Sequence, residues 1–178
     1  MIQVNIFRGN QIESIHKIKA LVLNSNEKSI FSTGNNNDLT FPRSAIKIFQ
    51  AIPLIVSGAA EFYNLNEKQI ALSSSSHFGE PKHTFYLKKW LKKIKLKENN
   101  LLCGIHNPLN LEYSNKLLFS KKKPTTIHNN CSGKHLGMLT TSKYMNFKIK
   151  NYTNFNHPLQ KIILDILKKF NNYKIKKI

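Results

Sequence analysis

The hydrophobic pattern changes period near residue 41, and this change limits the fold more than any other feature of the chain. Before it, Ile2-Gln-Val-Asn-Ile-Phe7 alternates and Ile12 to Leu23 keeps period two in part. Turn chemistry separates these runs at Arg8-Gly-Asn-Gln11 and follows them at Asn24-Ser-Asn26. A short strand is expected at Ser29-Ile-Phe-Ser32, and Gly34 to Asp38 reads as loop. From Ser44 the period is helical: Ile46, Phe49, Ile52, Ile55, Val56 and Ala59 share one face. Pro42 sits near the start, where proline is tolerated, and Pro53 is expected to kink the middle. Further helices are expected over Asn66 to Leu72, from Glu80 to about Ile94, over Asn110 to Phe119, over Ser132 to Met145, and from His157 to about Phe170. In the second of these, Phe85, Leu87, Leu91 and Ile94 are the apolar members. Strands first and helices next, with no βαβ alternation, predict an α+β fold of mixed layers.

At 178 residues with 40% apolar content, the chain is one domain or part of one, with enough apolar sequence for a core. Ala45 to Ala60 is broken by Lys47, Gln50 and Pro53, so no run spans a bilayer. Met1-Ile-Gln-Val-Asn5 lacks the basic start of a secretory leader. Two cysteines, Cys103 and Cys131, fit a reducing compartment, and a cytoplasmic location is expected. The net charge of +19 comes from 28 basic residues, of which all but Arg8 and Arg43 are lysine. Lysine travels here with asparagine and isoleucine, as an A- and T-rich coding sequence would produce. Nucleic-acid grooves favour arginine forks beside aromatic platforms, so a basic nucleic-acid-binding protein is the weaker reading and no specific nucleic-acid partner is expected.

Three polar clusters punctuate the apolar runs: Phe41-Pro-Arg-Ser-Ala-Ile-Lys47, Ser73-Ser-Ser-Ser-His-Phe-Gly-Glu80 and His128-Asn-Asn-Cys-Ser-Gly-Lys-His135. In the first, Ser44 and Lys47 lie one helical turn apart. A serine needs a base beside it to act as a nucleophile, and a lysine can be that base only in its neutral form. The plain alternative is that Ser44 caps the helix and Lys47 is solvated. In the second, Ser76 precedes His77, and the alternative is a cap with a satisfied loop histidine. In the third, Cys131 and Lys134 are one turn apart among histidines. A thiolate suits zinc, but this spacing is only half a standard site, and a buried cysteine ahead of a helix explains it equally.

Together with Cys103-Gly-Ile-His-Asn-Pro-Leu109, these segments form four blocks whose order and spacing resemble the thermolabile, rhizobial-type L-asparaginases, also called asparaginase II or class 3. The resemblance runs from Ile2 to His157. It implies a serine-dependent amidohydrolase that converts L-asparagine to L-aspartate and ammonia, on a fold similar to glutaminases and serine β-lactamases, as a homodimer. By the same resemblance, Ser44 and Lys47 form one Ser–Lys pair, and Ser76 is the serine of a second. Arg43 is a clamp for the substrate carboxylate, His135 is a neighbouring substrate-binding residue, and Cys131 and Lys134 are two of three zinc ligands. Penicillin-binding and β-lactamase-type enzymes share Ser-x-x-Lys, but their Ser-x-Asn and Lys-Thr-Gly elements are not found here.

Members of the family continue past the equivalent of Ile178, where a third zinc-binding cysteine and the lysine partner of Ser76 reside. Residues 1–178 are therefore expected to be the N-terminal portion of a single asparaginase II domain, from a truncated, split or decayed gene, inactive or only weakly active alone. The stretch from Lys161 to Ile178 has no cysteine, and its lysines are expected on an amphipathic helix. A complementing C-terminal chain is the expected partner beside a second copy.

Overall fold

Alternation and turn chemistry produce two antiparallel hairpins in the first forty residues. The computed structural model describes residues 1–35 and 37–170. Asn36 of the expected loop, and residues 171–178 of the expected amphipathic tail, lie outside the described residues. Two compact units follow one another, the first ending at Pro42 and the second beginning at Arg43.

In the first unit, β1 (Ile2–Arg8) pairs with β2 (Gln11–Ile18), with Ile2 opposite Ile18 and Arg8 opposite Gln11. The pair turns through Gly9, whose φ of 60° suits glycine. A register shift at Ile6/Phe7 marks a bulge, and Arg8 pairs with Glu13 across the hairpin. The expected single run from Ile12 to Leu23 is broken at Lys19, and Ala20 begins a separate hairpin. There β3 (Ala20–Leu23) pairs with β4 (Ser29–Thr33). Asn24 makes the connecting turn, its Oδ1 accepting from the N–H groups of Asn26 at 3.0 Å and Lys28 at 2.9 Å. The described strands thus form two two-stranded sheets, and most of their apolar side chains are exposed.

The second unit is helical: α1 (Lys47–Val56), α2 (Ala59–Phe62), α3 (Glu67–Ser74), α4 (Pro81–Lys93), α5 (Leu111–Phe119), α6 (Ser132–Tyr144) and α7 (Pro158–Lys169). Short 3-10 turns occupy Arg43–Ile46, Glu98–Asn100 and Thr126–His128. Local chemistry sets most of these starts. Asn66 and Gln69 make a reciprocal capping box for α3, Pro81 opens α4, Asn110 caps α5 and His157 caps α7.

Helix α6 is the centre, with ten of its thirteen residues buried and α1, α2, α3, α4 and α7 packed around it. Its sequence is not strongly apolar, and most of its buried hydroxyls find partners inside, the Ser142 hydroxyl having none among the described residues. Thr140 Oγ1 donates to Leu136 O at 2.7 Å and accepts from Trp90 Nε1 at 2.9 Å. Thr141 Oγ1 donates to Gly137 O at 2.9 Å. Around it lie Leu54, Leu87, Trp90, Ile94, Ile127, Leu136, Leu139, Tyr152 and Leu159.

Two expected faces are corrected. Helix α1 begins at Lys47 rather than Ser44, and its inward stripe is Lys47 and Leu54 while Ile55 and Val56 are exposed. The helix turns that stripe inward because it packs on α3, α6 and α7 at once. In α4, Phe85 is exposed under the Lys89 ammonium, and Trp90 is inside in its place.

Helix α6 lies close to α3 at Gly133, where an added Cβ would fall 2.2 Å from the Leu72 carbonyl oxygen. At Gly137 it would meet side-chain atoms alone, the Ser73 Cβ at 3.2 Å and the Leu54 Cδ2 at 3.6 Å. Gly133→Ala is therefore expected to destabilise by about 3 kcal/mol, the upper end for overpacking. Gly137→Ala is expected to cost clearly less. Urea unfolding midpoints of the two variants check this order.

Candidate active site

The first cluster presents its lysine, and not its serine, to the interior. Lys47 is only 4% exposed at the start of α1. Its Nζ donates to Ser76 Oγ and lies 3.4 Å from Ser75 O. No carboxylate pairs with it among the described residues. Neither half of the plain reading of Ser44 and Lys47 holds: Lys47 is not solvated, and the position before α1 is Ile46, which offers no capping oxygen. Ser44 lies on the exposed 3-10 turn one turn ahead of Lys47, and its hydroxyl has no hydrogen bond among the described residues. Arg43 is exposed too, with a φ of 45° in the left-handed region that arginine adopts at a cost.

The chain leaves α3 through the extended Ser75 to the exposed Ser76, and the next residue ties that segment to the third cluster. The His77 N–H donates to Asn130 O at 3.2 Å. Its ring accepts at Nδ1 from Gly79 N–H at 3.1 Å, which places the proton on Nε2, 2.9 Å from Ser132 Oγ. Ser132 passes its own proton on to Ile127 O at 3.0 Å. Burial pushes His77 down to about 4, and the nearby His83, Lys47 and His128 act in the same direction. Gly79, at φ 73°, lies where a Cβ would be 2.7 Å from His128 O, so this approach also requires glycine.

The third block is joined to Cys103-Gly104 by Asn129. Its Nδ2 donates to Cys103 O at 2.8 Å and its Oδ1 accepts from Cys131 N–H at 2.8 Å. The 105–110 segment closes on the second cluster, with Leu109 N–H donating to Phe78 O at 2.9 Å and Asn110 Nδ2 to Glu80 Oε1 at 2.8 Å. All four blocks are therefore bonded edge to edge, the first to the second through Lys47 and Ser76.

Cys131 stands at the N-terminus of α6 and Lys134 one turn on, both half-buried. Neither side chain has a hydrogen-bond partner among the described residues, so a thiol and an amine remain free to bind a soft cation. No group of three His, Cys, Asp or Glu side chains is arranged to hold a metal among the described residues. His135 is buried, and its Nδ1 lies 2.6 Å from the Tyr152 hydroxyl, which accepts from Leu102 N–H at 2.9 Å. Burial first, and then the Lys134 cation, push His135 down to about 4. Burial also raises Tyr152, which stays protonated and donates to the ring.

Ser132, Asn129, Tyr152 and Gly79 hold this arrangement and were not expected to. Only Asn129 carried a local signal, since an asparagine three residues before a helix start can turn back on the backbone two residues on. A cavity of about 440 Å³ beside α5 is lined by Asn107 and Pro108 of the Cys103–Leu109 block together with Leu118 and Lys121–Lys123, and includes none of Ser44, Lys47, Ser76, Cys131, Lys134 and His135.

The described residues thus define an α+β protein in which a buried lysine holds a serine among four interlocked polar loops. A family model described as L-asparaginase II matches residues 4–178, and the chain belongs to that family, which points to an asparaginase-type hydrolase. No curated protein matches the chain. No helix among the described residues is long and apolar enough to cross a membrane.

The neutral His77 makes stability depend on pH. Its folded value of about 4 lies below the usual 6.5. The unfolded chain therefore binds the extra proton, and stability that is complete above about 6.5 is lost as pH falls toward about 4. The urea midpoint is expected to drop across that window. His77→Gln is expected to be less stable at neutral pH and to show a shallower drop, although the other buried histidines keep part of the slope.

Proposed function

We propose that the chain hydrolyses the side-chain amide of L-asparagine to L-aspartate and ammonia by serine–lysine chemistry centred on Lys47. The observation that carries this is the buried Lys47 amine aimed at Ser76 Oγ, with no acid to hold it as an ion pair. Ser44 attacks the amide carbonyl, forming the Oγ–C bond, while Lys47 takes the hydroxyl proton with Ser76 as relay. Lys47 returns that proton to the departing nitrogen, the C–N bond breaks, and ammonia leaves. Water then cleaves the acyl-enzyme ester to release aspartate and restore the serine. Arg43, exposed beside Ser44, clamps the substrate carboxylate through its two-pronged guanidinium.

His135 sits next to the metal-binding pair and lines the substrate side, with its ring fixed by Tyr152. Cys131 and Lys134 would hold a zinc ion, which when bound supplies positive charge that orients the substrate. The two thiols stay reduced in a cytoplasmic setting. The reading treats residues 1–178 as the N-terminal portion of one asparaginase II domain. Two-stranded hairpins such as β1–β2 and β3–β4 are marginal unless something covers them. A second copy or a complementing chain would supply that cover.

Ammonia release from asparagine by the purified chain tests the proposal. Turnover is expected to be weak but measurable, and to fall by about 10²-fold or more in Ser44→Ala, Ser76→Ala and Lys47→Met. No asparagine-dependent ammonia at high protein concentration would overturn the activity. Unchanged turnover in Ser44→Ala or Ser76→Ala would overturn the site, and robust wild-type turnover would overturn the reading as a portion of a domain.

A further inference from the structure

Two adjacent residues of α6, Ser132 and Gly133, hold the serine run Ser73–Ser76 at both of its ends. On the upstream side Leu72 rests on Gly133, where a Cβ would fall 2.2 Å from the Leu72 carbonyl oxygen. On the downstream side the buried His77 ring lies 2.9 Å from Ser132 Oγ. Ser132 is fully buried and donates to Ile127 O at 3.0 Å, so this end is also anchored to the 3-10 turn ahead of α6. The other ring nitrogen accepts from Gly79 N–H at 3.1 Å. Among the described residues, no other side chain from Ser73 to His77 reaches α6 through a hydrogen bond. Ser73 and Ser74 donate back into α3, to Ile70 O and Ala71 O. The atoms that contact Lys47, Ser75 O and Ser76 Oγ, belong to the two residues just before the His77 anchor.

We propose that His77 and Ser132 are positioning residues for the serine–lysine pair, a strut that sets where Ser76 Oγ stands against the Lys47 amine. This rests on the reading of Lys47 and Ser76 as partners in the chemistry. A histidine suits the task because one rigid ring offers both an acceptor and a donor. Nδ1 takes the Gly79 N–H and keeps the turn closed, while the Nε2–H reaches α6. Both bonds fix the ring, and the backbone that carries the ring adjoins Ser76. The strut touches no reacting atom. It acts on the chemical step through Ser76, because a proton relay requires its members within hydrogen-bond reach. An asparagine at position 77 keeps an acceptor for the Gly79 N–H but is too short to donate to Ser132. A glutamine is long enough to make that donation.

Competitive acetylation of the whole chain with acetic anhydride tests this, with peptides read by mass spectrometry and the exposed Lys116 as internal reference. His77→Asn and Ser132→Ala are each expected to label Lys47 about tenfold faster than the wild type, the factor that one buried hydrogen bond contributes to a local opening. Thr140→Val removes the equally buried Trp90–Thr140 bond from the same helix. It is expected to lower the urea midpoint and to leave Lys47 at its wild-type rate. His77→Gln is expected to bring Lys47 most of the way back to that rate. In ammonia release from asparagine, kcat of His77→Asn is expected to fall about tenfold with KM unchanged. Wild-type labelling of Lys47 in both His77→Asn and Ser132→Ala overturns the strut. Equal acceleration in Thr140→Val overturns it too, since that marks general loosening, and so does an unchanged kcat in His77→Asn. Absence of wild-type turnover overturns the proposed activity instead, and the labelling then decides the strut. Should neither variant fold, as judged by circular dichroism, the imidazole nitrogen resonances of the wild type decide. An exchange-protected Nε2–H on His77 supports the strut, and an Nδ1–H tautomer overturns it.

Discussion

The approach of α6 to α3 at Gly133 is the constraint on which the rest of the helical unit depends. With no side chain at that position, the first turn of α6 can rest on the Leu72 carbonyl. Leu72 lies in the last turn of α3, just before the serines, and Gly133 lies in the first turn of α6, just after Cys131. The contact therefore sets how far the serine segment stands from the cysteine segment. Helix α1 packs on both α3 and α6, and this turns Lys47 toward the same junction. The backbone bond from His77 to Asn130 and the ring bond from His77 to Ser132 close the junction once the helices have met.

Histidines dominate the signature blocks, and they serve as scaffold. His77 uses both ring nitrogens within the protein, His128 accepts from Thr125 N–H through Nδ1, and His135 is joined to Tyr152. Burial lowers all three, so each is held neutral, with its proton placed by its partners. A ring committed to two partners is a poor proton acceptor for a substrate. The one side-chain contact between Lys47 and a serine among the described residues is with Ser76 Oγ.

The large positive charge lies outside this machinery. Ion pairs such as Lys116 with Glu112 and Lys168 with Asp165 are on exposed helix faces, where each contributes little. Stability comes from the packing of Leu54, Trp90, Leu136, Leu139 and Tyr152 around α6, and from polar groups that find partners inside. The lysine-rich composition accordingly bears on solubility and on attraction to polyanions more than on the fold.

By itself the sequence determined the order and type of elements, because period two and period 3.6 are local properties that capping residues such as Asn66, Asn110 and His157 then delimit. It also marked the four blocks and the family. Tertiary structure decided which faces were buried and which groups met. Helix α1 was legible as a helix, but two of its faces carry apolar residues, and only packing on α3, α6 and α7 turned Lys47 inward. The pairing of Lys47 with Ser76 joins residues 29 apart, and that of His77 with Ser132 joins residues 55 apart. No local pattern encodes a partner at such a distance. Those contacts exist because a glycine allowed two helix ends to touch, and the touching of those ends is a property of the assembled core.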